Sequence, residues 1–67
     1  MLNVNQLVKL KEDDLSVNVK KEYLGTIVDI LGNGRDYTIE FIDESGDSID
    51  EALYKTYSED ELIIVNM

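Results

Sequence analysis

The stretch from residue 25 to residue 42, GTIVDILGNGRDYTIEFI, constrains the fold of this chain more than any other. Its first part is rich in β-branched residues, which crowd a helix but pack well on a pleated, half-buried surface. Its last part alternates Tyr37, Ile39 and Phe41 with Thr38 and Glu40, the period of a strand with one buried face. Between them, GNGRD supplies residues that tolerate the positive φ of a tight turn. Strands joined this closely pair antiparallel, so a hairpin is expected at the centre of the fold. Tyr37 and Phe41 are most simply core residues on its inward face.

The remaining segments add short elements on either side. QLVKLK, residues 6–11, places Val8 and Leu10 on one face, with Leu7 near the start, and suits a half-buried strand. A polar stretch over residues 12–22 follows, in which Leu15, Val17 and Val19 are spaced by two and able to tuck under a long loop. At the other end, LIIV reads as a closing strand, and SEDEL before it has Ser58 and Glu61 at the spacing of a capping box, so one helical turn is expected there. Residues 43–51, DESGDSIDE, open with turn formers. Beyond that turn, Ser48 and Glu51 again have capping-box spacing, with Ile49, Ala52, Leu53 and Tyr57 on one helical face. A strand would instead align Ala52, Tyr54 and Thr56, and the pattern leaves both open.

Five short strands, a long first loop, tight middle turns and one helical turn before the last strand describe a small all-β protein, a five-stranded SH3-like barrel. The alternative is an α+β fold with one helix near residues 49–57. With no proline, four glycines and no low-complexity stretch, residues 1–67 read as a single domain. A domain of this size buries only about 60% of its unfolded surface, which leaves a thin margin of stability. Disulfides and the usual zinc sites are unavailable as reinforcement, because the sequence has no Cys and no His. The absence of Cys suits a reducing cytoplasm. MLNVNQLVKLKEDD lacks the apolar stretch of a signal peptide, and no apolar run nears the roughly 20 residues of a membrane span. A soluble cytoplasmic protein is expected.

The order of these segments also resembles a family. LVKLKEDDLSVNVKKEYLGTIVDIL, then YTIEFIDESGDS, then SEDEL, is similar to a group of small bacterial proteins catalogued as domain of unknown function 4926. Gly25, Thr26, Ile27 and Val28 match that family's "GTVV" element, and Tyr37, Ile39, Glu40 and Phe41 match its "YEVEF" strand. The likeness covers nearly the whole chain and implies an SH3-like barrel. Members resemble partners in small toxin and antitoxin gene pairs, which implies an inhibitor role.

Charge placement says more than net charge. Residues 1–35 hold five acids and five bases, whereas residues 36–67 hold ten acids and Lys55 alone, so the net charge of −9 resides in the second half. Such a field repels nucleic acid and anionic lipid and attracts basic protein surfaces. The set expected to face a partner is Asp43, Glu44, Asp47, Asp50, Glu51, Glu59 and Asp60, with Tyr54 and Tyr57 beside them as aromatic anchors or as cover for a small core. Lys9, Lys11, Lys20 and Lys21 read as a solvated face.

Familiar chemistries fit poorly. Counted from Asp43, a calcium loop of the EF-hand type needs glycine at position six and a bidentate glutamate at position twelve, where this chain has Ser48 and Tyr54. GNGRD leads into a strand, whereas a phosphate loop needs a helix N-terminus. Without His or Cys the commonest acids, bases and nucleophiles are missing, and paired carboxylates need a cleft to separate their pKa values. The expectation is a non-enzymatic module without metal or cofactor. It would dock on a basic protein partner as an immunity or antitoxin inhibitor does, the partner being a toxin. The alternatives are a nucleic-acid mimic that inhibits a DNA- or RNA-binding enzyme, and a scaffold or accessory domain.

Overall fold

The computed structural model describes residues 2–66. Five strands, β1 (Leu7–Leu10), β2 (Leu24–Leu31), β3 (Asp36–Ile42), β4 (Thr56–Ser58) and β5 (Leu62–Ile64), form one antiparallel sheet in the order β4-β3-β2-β1-β5. Two 3₁₀ turns complete it, a first over Asp50–Tyr54 and a second over Glu59–Glu61. The second joins the two edge strands, so the sheet coils and its edges are each only three residues long. This is the SH3-like arrangement expected from the sequence.

The central hairpin is β2 paired with β3, from Leu24↔Ile42 to Leu31↔Asp36. Its register slips between Ile27 and Asp29, which makes Val28 the extra residue of a bulge and leaves it exposed. The bulge explains why Ile27 and Ile30, three positions apart, both pack inward. Ile30 lies opposite Tyr37 and Ile27 opposite Ile39, and both of those partners are buried. In the turn, Gly32, Asn33 and Gly34 all have positive φ, which glycine and asparagine adopt at least cost.

The core gathers Val8 and Leu10 from β1, Ile27 from β2, Tyr37, Ile39 and Phe41 from β3, Tyr57 from β4 and Leu62 from β5. Phe41 and Tyr57 meet edge to face, ring centroids 5.7 Å apart at 84°. Gly25 sits where β1, β2 and β3 crowd together. A Cβ there would lie 2.6 Å from Ile39 Cγ2 and 2.7 Å from Phe41 Cε1.

The segment that the pattern left open is neither a full helix nor a continuous strand. One 3₁₀ turn buries Ala52 against β3, Lys55 breaks it, and β4 begins at Thr56. The capping box expected at Ser48 and Glu51 is not made. Ile49 occupies the N-cap without a side-chain hydrogen bond, and the Ser48 hydroxyl donates to Glu40 at 3.3 Å. At the second turn the Glu61 carboxylate does reach back, accepting the Ser58 N–H at 3.0 Å.

Within the long loop, Val19 is buried and Val17 half-buried, but Leu15 is 77% exposed. Asp14 and Val19 exchange backbone hydrogen bonds at 2.7 and 3.0 Å, and Asn18 has φ of 59°. Leu15 therefore stands on the tip of a tight turn, where a period of two has no meaning. No helix among the described residues is long and apolar enough to cross a membrane.

Candidate functional site

The acidic stretch 43–51 first makes its own turn. Asp43 Oδ1 accepts the N–H groups of Ser45 at 2.8 Å and Asp47 at 3.0 Å, and the backbone closes between Asp43 and Asp47 with Gly46 at φ of 84°. This is the reason a carboxylate stands at position 43, and it half-buries that residue. Glu44, Asp47, Asp50 and Glu51 are exposed around the turn, as are Glu59 and Asp60 on the second 3₁₀ turn. The two groups do not share a groove. Asp43 and Glu44 line a groove with Tyr23, while Asp60 lines a different cleft with Asp14 and Tyr57.

The two tyrosines separate. Tyr54, at the end of the first 3₁₀ turn, is 93% exposed, whereas Tyr57, on β4, is 1% exposed. Tyr57 therefore does not anchor a partner by its ring and is corrected to a core residue. Its change of side follows from the break at Lys55, after which β4 pairs Tyr57 directly with the buried Tyr37. Tyr54 and Leu15 are the most exposed large apolar side chains among the described residues.

Between them lies a polar junction that sequence reasoning missed. Asp14 Oδ2 receives the Lys55 ammonium in a salt bridge and the Tyr57 hydroxyl at 2.9 Å. Asp14 Oδ1 receives the Ser16 hydroxyl at 2.6 Å, and Lys55 reaches the Ser16 oxygen at 3.3 Å while lying 5.4 Å from the Tyr57 ring centroid. Burial alone would push the Asp14 carboxyl up. The hydrogen bonds from Lys55, Ser16 and Tyr57 and the lysine's charge outweigh it and hold Asp14 at about 2. Burial, and then the Asp14 carboxylate, push the Tyr57 phenol well above its ordinary value. The one available signal was Lys55 itself, the single base in an acidic half.

A cleft of about 400 Å³ opens beside this junction. Leu10 and Tyr57 belong to its lining, with Asp13 and Asp14 from the first loop and Asp60 and Glu61 from the second 3₁₀ turn. Lys11 N–H donates to Glu61 C=O at 2.9 Å, and Asp13 accepts the Lys21 N–H at 2.8 Å, which fixes the cleft's two sides. Asp14 carries no proton at neutral pH, and its hydrogen bonds and salt bridge tie the first loop to Lys55 and Tyr57.

Among the described residues the Lys55–Asp14 pair is the one salt bridge. It takes the only base of residues 36–67 across to an acid of the first half, and the ten carboxylates of the second half have no ion-pair partner among the described residues. Comparison with family models, with curated proteins and with solved structures returned no match.

Proposed function

We propose that this chain is a non-enzymatic protein-binding module of the immunity or antitoxin type, which docks its acidic half onto a basic surface of a partner protein such as a toxin. The observation that carries the reading is the pairing of Lys55 with Asp14 of the first half, which leaves the exposed acids of the second half without it, Asp50 and Glu51 lying on the same 3₁₀ turn as the exposed Tyr54. A surface tyrosine amid charge is the kind of residue that contributes most at protein interfaces, and its presence favours an anchored inhibitor over a nucleic-acid mimic. Leu15 joins Tyr54 as a second exposed apolar contact, since the Asp14–Lys55 bridge holds their two loops together. The resemblance read from the sequence, which no family model matches, implies the same role, and a chain without cysteine suits the cytoplasm in which such gene-pair products would meet.

The test is capture from native lysate on immobilised protein at low salt, elution at high salt, and measurement of the association rate of the recovered protein against ionic strength. An electrostatically steered partner should lose at least about tenfold in rate between low and high salt, and Tyr54→Ala should speed its dissociation. A salt-insensitive rate, or no partner at low salt, would overturn the reading.

A further inference from the structure

Leu24 of β2 lies opposite Ile42 of β3, on the face of the sheet away from the buried neighbours Gly25 and Phe41. Tyr23 precedes them, held by its N–H to the Lys20 C=O at 3.0 Å. These three side chains and three acids, Glu22, Asp43 and Glu44, line a groove of about 250 Å³. Apolar and acidic side chains thus line one groove, which shares no lining residue with the cleft beside the Asp14 junction.

We propose that this groove seats an arginine or lysine side chain of the partner, its aliphatic stem over Tyr23, Leu24 and Ile42 and its charge among Glu22, Asp43 and Glu44. Long basic side chains bury their stems along apolar surface while the head stays near water and carboxylates, which is the division this groove offers. Asp43 Oδ1 is occupied by its turn, and Oδ2 takes no hydrogen bond among the described residues. Neither Lys20 nor Lys21 forms a salt bridge with the rim. The Tyr23 phenol is raised by burial and then by Glu44, Asp43 and Glu22. Arginine is the better fit of the two, because a guanidinium stacks on an aromatic ring and forks to paired carboxylates.

The inference rests on the protein-binding reading and adds where, and by what chemistry, contact is made. Its test is a ¹⁵N-resolved titration with acetyl-Gly-Arg-Gly-amide and with the lysine and norleucine counterparts at low salt. Saturable shifts should concentrate at residues 22–24 and 42–44, stronger for arginine than for lysine and absent for norleucine. Glu22→Gln with Glu44→Gln, both at exposed positions, should weaken arginine binding by about threefold or more. Shifts spread over residues 47–51 and 59–61 as strongly as over the groove, or binding unchanged in the double variant, would overturn the groove. With a captured partner, an intact affinity in the double variant together with a loss in Tyr54→Ala would remove the groove and leave the protein-binding reading standing. Failure of both variants to alter affinity would count against both.

Discussion

The hydroxyl of Tyr57 donates to Asp14 Oδ2 at 2.9 Å, joining a core residue of β4 to the first loop across 43 positions of sequence. Tyr37, its neighbour across the β3–β4 pairing, is equally buried, yet its hydroxyl finds no partner among the described residues. One phenol is therefore an asset to the fold and the other a burden.

Removing the two hydroxyls should have opposite effects. Tyr57→Phe strips Asp14 of a donor and should cost about 1–2 kcal/mol, whereas Tyr37→Phe relieves an unsatisfied buried group and should be neutral or stabilising by up to about 1 kcal/mol. Urea unfolding at neutral pH measures both. A Tyr37→Phe variant less stable than Tyr57→Phe would show that the assignment of partners is wrong.

Acid should dissolve the same junction. Asp14 titrates at about 2 in the folded protein against 3.8 ordinarily, a depressed value. Its contribution is therefore complete above about pH 4 and is lost as pH falls towards 2. With part of the shift discounted for solvent screening around the partly exposed Lys55, the contribution is about 1–2 kcal/mol. The gap in stability between the native protein and Asp14→Asn should be widest at neutral pH and close by about pH 2. A gap that is constant across that range would contradict this.

Gly25 should not accept a side chain. The methyl of Gly25→Ala would press on Ile39 and Phe41, both fully buried and confined by neighbours, so neither can give way cheaply. A loss of about 2 kcal/mol or more is expected, enough to unfold a domain with so thin a margin. Thermal melting that matches the native protein would mean that β2 and β3 lie further apart than described.

Salt should stabilise the protein. Ten carboxylates of residues 36–67 repel one another, the one base of that half, Lys55, being drawn to Asp14, while this salt bridge, the one among the described residues, is partly buried and less easily screened. The melting temperature should rise between about 10 mM and about 150 mM sodium chloride, over which the Debye length shortens from about 30 Å to about 8 Å. A fall would mean that attractive pairs dominate.

Replacing the exposed apolar residues should leave the fold untouched. Tyr54→Ala and Leu15→Ser alter side chains that contribute little buried area, so each should shift stability by no more than about 0.5 kcal/mol. Their effect should appear in the dissociation rate of the partner. A large loss of stability from either would place that side chain in the core.

The strands and the hairpin turn were legible in the sequence because β-branched runs, alternation and positive-φ residues are local signals, and the second 3₁₀ turn because Ser58 and Glu61 act on each other three positions apart. What was hidden depended on breaks and on distance. Tyr54 and Tyr57 share a face if the chain continues as a helix, and only the interruption at Lys55 sends one outward and the other inward. Leu15 follows the spacing of Val17 and Val19, but a turn closed by Asp14 and Val19 cancels that spacing. The encounter of Asp14 with Lys55 is a product of topology, since the loop after β1 and the segment before β4 meet only once the sheet has coiled. The exposed acids were legible as a charge imbalance, though not as the linings of two different grooves.

The strand order also sets a schedule. β1 is hydrogen-bonded on one side to β5, with Val8 opposite Ile64 and Leu10 opposite Leu62. The central hairpin closes over a few residues and forms from local contacts, but the first strand cannot acquire its second neighbour until residues 62–64 have left the ribosome. During synthesis one side of β1 stays unsatisfied until β5 arrives, and all fifteen Asp and Glu residues, the last being Glu61, precede β5 along the chain. Those negative charges keep nascent copies apart during the interval in which an open strand could pair with another chain.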